Sequence, residues 1–484
     1  MRMDFRLRPP LRALAFLLAP VLWVLMSSGS MAQDHAALST RLRALVAEAA
    51  LGEGVSISVA DAATGEVLFA HQADTALNPA SNQKLVTAAI ALEVLGADHA
   101  MLTGLYGRIE GEGVVGGLVL RGLGDPSLRQ ADLVELARDL ADRGVRRVDR
   151  LIVDASYFDD QLLPPAFDQQ PGEVAPFRAA TGAVSIDVAA YSLRILPGAA
   201  VGEPARVRLD GAGYFDLDNA ITTGEPGSAP SIIADQRDGG ERMRLILRGS
   251  IALGTGALTY RRRIENPLYW TGHVMRDVLA AVGIRVGEGV TLGAAGDRPL
   301  LASHRSAPLS HLIDAMGKDS DNYVAEMVFR AIGATRRTPA TTDNSVAVIT
   351  EHLTSLGIDA SAFTVVNGSG LFRGNRIASS HLVRILCHVY QSPAMRNEFV
   401  AHLAIAGVDG TLERRLADLP EPRIVRAKTG TLNDAIALSG YVLGREPGRA
   451  IAFSVLMNGV SGRHGVARNL ADGVARAIVE DLWR

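Results

Sequence analysis

Residues 78–96 read NPASNQKLVTAAIALEVLG, and how this stretch folds decides how the rest of the chain is organised around it. Pro79 stands where a helix can start, and Leu85, Ala88, Ala89, Leu92 and Leu95 recur at helical spacing up to a stop at Gly96. Ser81 and Lys84 are related as i and i+3, so one helical face carries a hydroxyl and an amine within reach of each other. A serine at a helix N-terminus also lies near unpaired backbone N–H groups, which suit an anionic intermediate. Taken alone, the pair reads equally well as an N-cap serine beside a cation.

Upstream, Val55–Asp61 alternates as a strand, residues 62–65 turn and Val67–His71 returns, which makes a hairpin. From about Thr103 the texture changes to short strands rich in Gly and Val, such as Val114–Val119 and Leu151–Val153, with helices near Ala131–Arg143 and Pro267–Val282. Asn219–Pro230 is polar and reads as a loop. Helical patterns resume over Leu309–Ile332 and Asn344–Leu356, and the chain closes as strand Ala435–Leu443, strand Ile451–Asn458 and helix Arg463–Trp483. Two strands and a helix at each end point to one domain closed by both termini, residues 33–102 with 296–484, and to an inserted β-rich region, residues 103–295. The fold class is therefore mixed, α/β (α+β).

The chain has 49 Lys plus Arg, yet only Lys84, Lys318 and Lys428 are lysines. Surface cations here are written as Arg, so the surviving lysines mark places where an amine able to lose its proton is needed. Lys318 precedes Ser320 and Asn322, a hydroxyl able to relay a proton and an amide able to hold a carbonyl or an ammonium. Lys428 opens Lys428-Thr429-Gly430-Thr431 at the start of a strand. There a cation and hydroxyl can bind a carboxylate, and Gly430 lets a substrate backbone approach. Each motif alone is weak; all three in this order, holding or adjoining every lysine of the chain, are not.

Composition removes other classes. The chain has 484 residues, 48% of them hydrophobic, and a formal net charge of −3, so it can bury ample core and carries no basic stripe for nucleic acid. Arg261, Arg262 and Arg263 read as a solvated run. None of the histidines has metal-ligand spacing, so no metal or cofactor is expected. Arg2, Arg6, Arg8 and Arg12 precede an apolar run, Ala13–Met26, and Ser30-Met31-Ala32 supplies small residues for cleavage, so residues 1–32 read as a signal peptide. Export to the periplasm or cell-wall space follows. The lone Cys387, among Leu382, Ile385, Leu386 and Val389, reads as core.

The S-x-x-K, S-D-N and K-T-G set resembles that of the serine β-lactamases and penicillin-binding transpeptidases. The finer resemblance is to the D-alanyl-D-alanine carboxypeptidase/endopeptidase group of low-molecular-mass, class C type penicillin-binding proteins. It is carried by Asn78–Lys84, Gly122–Pro126, Lys318–Asn322 with Ala325-Glu326, Asn367–Leu371, Gly407–Leu412 and Lys428–Leu432. The long interval from Ser81 to Ser320 resembles the large insertion of that group.

The resemblance implies a penicillin-binding, transpeptidase-like domain with a large β-rich insertion and an acyl-enzyme mechanism. Ser81 is then the nucleophile, Lys84 its base, and Ser320 and Asn322 assist proton movement and positioning. Lys428, Thr429, Gly430 and Thr431 bind the terminal carboxylate, with backbone N–H groups of Ser81 and Thr431 as oxyanion hole. Arg373 and Asp154 are the matching candidates for residues that read a diaminopimelate side chain, although Phe372 replaces the small residue usual before that Arg, and Asp154 reads equally well as a plain strand-end carboxylate. Implied partners are peptidoglycan stem peptides, their cross-links and β-lactam antibiotics, with peripheral membrane association compatible and oligomeric state not legible. A β-lactamase would also need a glutamate-held water, and neither Glu351 nor Glu398 has the expected neighbours. A non-catalytic wall-binding protein on the same fold would be expected to have lost part of the trio.

Overall fold

The computed structural model describes residues 36–483; the expected signal peptide, residues 1–32, lies outside them. The centre of the molecule is a six-stranded sheet in the order Ala404–Ile405, Val425–Leu432, Ala435–Leu443, Ala450–Asn458, Val55–Asp61, Val67–His71. Every neighbouring pair in it is antiparallel. Strand Val55–Asp61 pairs with Ala450–Asn458 from Val55↔Met457 to Asp61↔Ile451, so the two ends of the chain share one sheet.

The two-residue period of a strand sends alternate side chains to opposite faces. Ile57, Val59, Leu438, Phe453 and Val455 pack on one face with Leu38 and Leu42 of helix 36–49 and with Leu470, Val474 and Ile478 of helix His464–Leu482. Ala60, Ala437, Tyr441 and Leu456 face the other way, against Leu85 and Ala89 of helix Gln83–Leu95, Val328 of Asn322–Ala334 and Leu386 of Ser379–Gln391. Residues Gln83 to Leu92 are all buried, so the helix that follows Ser81 runs through the protein interior.

The inserted region builds on a seven-stranded sheet whose longest members are Leu102–Glu110 and Gly113–Gly122. Helices Gln130–Asp142 and Pro267–Ala281 cover it over a core that includes Leu133, Leu136, Val274 and Met275. Two three-stranded sheets extend it. Its sheet ends on strand Leu300–Arg305, which pairs antiparallel with Leu102–Glu110. Leu300–Arg305 therefore belongs with this second sheet although no local pattern marks it, because its partner lies some two hundred residues earlier.

Two local readings change for similar reasons. The first part of the expected loop, Asn219–Gly224, is the end of strand Phe215–Gly224, whose parallel partner is Arg242–Ala252, while residues 225–230 do form a loop. The strand's polar residues are tolerated because most of them are at least partly exposed. The helical stretch after Leu309 is two helices, Leu309–Gly317 and Asn322–Ala334, and the break between them carries Ser320. Among the described residues no helix is long and apolar enough to cross a membrane.

Candidate active site

Ser81 lies in a single 3-10 turn, Ala80–Asn82, ahead of helix Gln83–Leu95. The turn needs a positive φ of 48° at Ala80, an uncommon conformation for a residue with a Cβ. It is held from outside. Asn78 Oδ1 accepts the Ala80 N–H at 2.8 Å, and Asn78 Nδ2 donates to the Phe372 carbonyl at 3.1 Å. Asn458, at the end of the last strand, exchanges hydrogen bonds of 2.8 and 3.0 Å with the Asn78 backbone. Gly370 has φ +76°, and a Cβ there would lie 1.9 Å from the Ala80 carbonyl oxygen.

Lys84 is fully buried and meets three partners: Ser81 Oγ at 3.2 Å, Asn322 Oδ1 at 2.7 Å and the Ser369 carbonyl at 2.8 Å. Burial lowers its pKa to about 7, an effect only partly offset by the charges of Glu326 and Asp321. A neutral amine has two hydrogens and one lone pair. The Asn322 and Ser369 oxygens accept only, so they take both hydrogens and turn the lone pair toward Ser81, the partner with a hydrogen to give. Asn322 keeps this orientation because its Nδ2 donates to the Phe177 carbonyl at 3.0 Å, from the insertion. Phe177 sits in the turn Pro176–Arg178, where the buried Arg178 guanidinium donates to the Phe167 and Glu173 carbonyls.

Ser320 is half-buried, with φ +61°, and its hydroxyl makes no hydrogen bond among the described residues. Its neighbour Lys318 pairs with Asp409 at 2.8 Å, and its carbonyl accepts the Thr411 N–H at 3.0 Å. Lys318 is thus an anchor for the 407–412 loop. That loop reaches the third motif, where Thr429 Oγ1 donates to Thr411 Oγ1 at 2.8 Å.

Lys428 is fully buried on strand Val425–Leu432, and Nζ donates to the Thr429 carbonyl at 2.9 Å. Burial and the neighbouring Lys84 charge push its pKa well down. The Asn82 amide lies 2.6 Å from Ser439 Oγ and 2.9 Å from the Lys428 carbonyl, tying the serine turn to this strand. At Gly430 a Cβ would stand 3.0 Å from Ala80 Cβ and from the Pro79 carbonyl, so strand and turn touch. Ala404–Ile405 pairs only with Ala427 and Arg426, which leaves the outer edge of Thr429–Leu432 without a strand partner among the described residues.

Beyond Thr431 a cleft of about 350 Å³ opens, lined by Gln169, Phe177, Leu371, Arg373 and Asp434. Arg373 is exposed, 3.5 Å from Asp434. Asp154 is elsewhere: buried at the end of strand Leu151–Asp154, it accepts the N–H groups of Ser156 at 2.9 Å and Ala295 at 2.7 Å. It serves the insertion's own fold and does not line this cleft.

Sequence reading named Glu326 without a role and missed Gln169 and Phe177. Glu326 is buried, and its carboxylate accepts the N–H groups of Gly368 at 3.1 Å and Ser369 at 2.8 Å. An acid inside the apolar run Tyr323–Ile332, four residues after Asn322, was the available signal. Gln169 and Phe177 act through backbone contacts made across distant sequence, which carry no motif.

A family model described as the D-Ala-D-Ala carboxypeptidase 3 (S13) family matches residues 38–478. A protein of an Actinomadura species named D-alanyl-D-alanine carboxypeptidase is 35% identical, over 97% of this chain and 90% of its own length. A Haemophilus influenzae protein of the same name is 26% identical, over 82% of this chain and 83% of its own. In fold, the chain is similar to the crystal structure of penicillin binding protein 4 from Haemophilus influenzae. That match has TM-score 0.73 and 23% identity, and covers 92% of this chain and 99% of that one.

Proposed function

This chain belongs to the D-Ala-D-Ala carboxypeptidase 3 (S13) family, and on that premise we propose that Ser81 is the residue it acylates and Lys84 the base. The activity is that of a serine-type D-alanyl-D-alanine carboxypeptidase, a hydrolase of peptidoglycan stem peptides that β-lactams inhibit. The observation that supports the roles best is the Lys84 amine, buried, 3.2 Å from Ser81 Oγ, with both other partners pure acceptors.

In this reading neutral Lys84 takes the Ser81 proton as Oγ attacks the penultimate D-Ala carbonyl. The tetrahedral oxyanion is held by the Ser81 and Thr431 N–H groups, where one donor is typically worth about 3 kcal/mol. The C–N bond then breaks, and the departing amine takes a proton that Lys84 and Ser320 hand on. Water, deprotonated by the same base, cleaves the ester and restores Ser81. Lys428 with Thr429 and Thr431 receives the terminal carboxylate. A bound carboxylate would add to the counter-charge that Asp319 gives the buried Lys428.

The same steps cut a D-Ala–diaminopimelate cross-link, since only the leaving amine differs, and endopeptidase activity is part of the proposal. Arg373 would read the anionic end of the third-residue side chain. Asp434, facing it across the cleft, supplies the acid for which the sequence offered Asp154. Export rests on the expected signal peptide.

The test is mass spectrometry of the intact protein after penicillin treatment, together with assay of D-Ala release from a stem pentapeptide. The proposal requires a stable single adduct on Ser81 and release by the wild type. Rapid loss of the adduct with turnover of the drug would make the chain a β-lactamase. No adduct and no release would leave a wall-binding protein.

A further inference from the structure

Glu326 is the buried acid that the mechanism above leaves without work. It lies four residues after Asn322 on helix Asn322–Ala334, so the two share a face. Two backbone donors converge on its carboxylate, Gly368 at 3.1 Å and Ser369 at 2.8 Å, and the Ser369 carbonyl is the oxygen that accepts from Lys84 Nζ at 2.8 Å. Asn322 Oδ1, from the same helix, accepts from the same amine at 2.7 Å. Helix Asn322–Ala334 thus shapes two of the three contacts of Lys84, one directly and one through Glu326 and the 367–370 loop.

The loop cannot take up this path without its glycines. A Cβ on Gly368 would lie 2.4 Å from Phe329 Cβ, and one on Gly370 would strike the Ala80 carbonyl. The close approach of the loop to the acid is therefore built in on both sides.

We propose that Glu326 is a positioning residue for the base: it fixes the Ser369 carbonyl that takes a Lys84 hydrogen, and it is the buried negative charge that faces the amine. The inference rests on the reading of Lys84 as base of an acylated Ser81. Charged and titratable groups facing this pair come from several elements. Arg330 stands one turn along the same helix, itself paired with Asp159; Asp321 precedes the helix; Lys428 approaches from the strand. Burial raises the Glu326 pKa, whereas the Ser369 hydroxyl, the Gly368 and Ser369 N–H groups and the Lys84 charge pull it down. The two groups hold one another's charge, and this keeps Lys84 from losing its proton too readily to act as a base.

Glu326→Gln and Glu326→Asp separate position from charge. The amide of Gln has one acceptor where two N–H groups converge, and it carries no charge. The expected result is a fall in the limiting rate of penicillin acylation of about ten- to a hundred-fold. The acidic limb of the pH profile should also move to lower pH. Asp keeps the charge but cannot reach both N–H groups, so the rate falls by about ten-fold while the limb stays put. A Glu326→Gln protein whose limb coincides with wild type overturns the charge role. A Glu326→Asp protein with the wild-type limiting rate overturns the positioning role, and this variant carries the test if Gln does not fold. Wild-type protein that takes no penicillin adduct at all would instead sink the underlying reading of Ser81 and Lys84.

Discussion

Gln169 and Arg373 exchange two hydrogen bonds across the cleft: Gln169 Nε2 donates to the Arg373 carbonyl at 3.0 Å, and the Arg373 N–H donates to Gln169 Oε1 at 3.2 Å. With the Phe177 carbonyl on Asn322, this makes the insertion part of the site's wall. The Arg373 side chain, paired with Asp434 at 3.5 Å, is still mostly exposed to the cleft.

Arg373→Ala should therefore raise KM for stem peptides with an anionic third residue by about ten-fold, the loss of one charged contact, with kcat nearly unchanged. Acylation by benzylpenicillin, which lacks that side chain, should hardly change. Steady-state kinetics on paired substrates with and without the carboxylate check this.

Asp154→Ala should behave in the opposite way. It strands the N–H of buried Ala295, at a cost of roughly 1–3 kcal/mol, while water can replace the carboxylate at exposed Ser156. Denaturant melts should show the loss, and substrate preference should not move.

Acylation should rise with pH through about 7 and then level off, because burial holds the Lys84 pKa there and only the neutral amine has a lone pair for the Ser81 proton. Asn322→Asp adds a negative charge beside the amine, which stabilises the ammonium, so the limb should move to higher pH. Stopped-flow acylation across pH reads both. An Asn322→Asp limb at or below the wild-type position would count against Lys84 as base.

Ser81→Ala should take no penicillin adduct and release no D-Ala while its thermal midpoint stays close to wild type, since among the described residues the half-buried hydroxyl has only the Lys84 contact. Retained hydrolysis would move the nucleophile elsewhere.

Gly370→Ala should destabilise the serine turn by about 1–3 kcal/mol, the cost of a left-handed residue with a Cβ, before its clash with the Ala80 carbonyl is relieved. The melt should shift down and acylation should slow with it.

The helix after Ser81, the hairpin before it and the strand–strand–helix close were legible because period and turn residues act within a few positions. That Ser81, Lys84 and Asn322 come together was legible because few residue types fit motifs of that spacing and order. Strand Leu300–Arg305 and strand Phe215–Gly224 were not, since each is stabilised by a partner that the local pattern does not reveal. Asp154 stayed open between two readings for a related reason: a carboxylate at a strand end looks the same in sequence whether it meets a ligand or two backbone N–H groups. Gln169 contributes a side-chain amide and Phe177 a carbonyl, each to a partner far away in sequence, which composition cannot flag.

Because Val55–Asp61 pairs with Ala450–Asn458, the ribosome makes one half of this pairing near the outset and the other almost at the finish. A nascent chain holding Ser81 and Lys84 still lacks Lys428 and the Asn458 amide that braces the serine turn. Translation that halts before residue 458 should consequently yield no partial hydrolase, and the polypeptide must close a loop of 380 residues, from Asn78 to Asn458, before the nucleophile is poised.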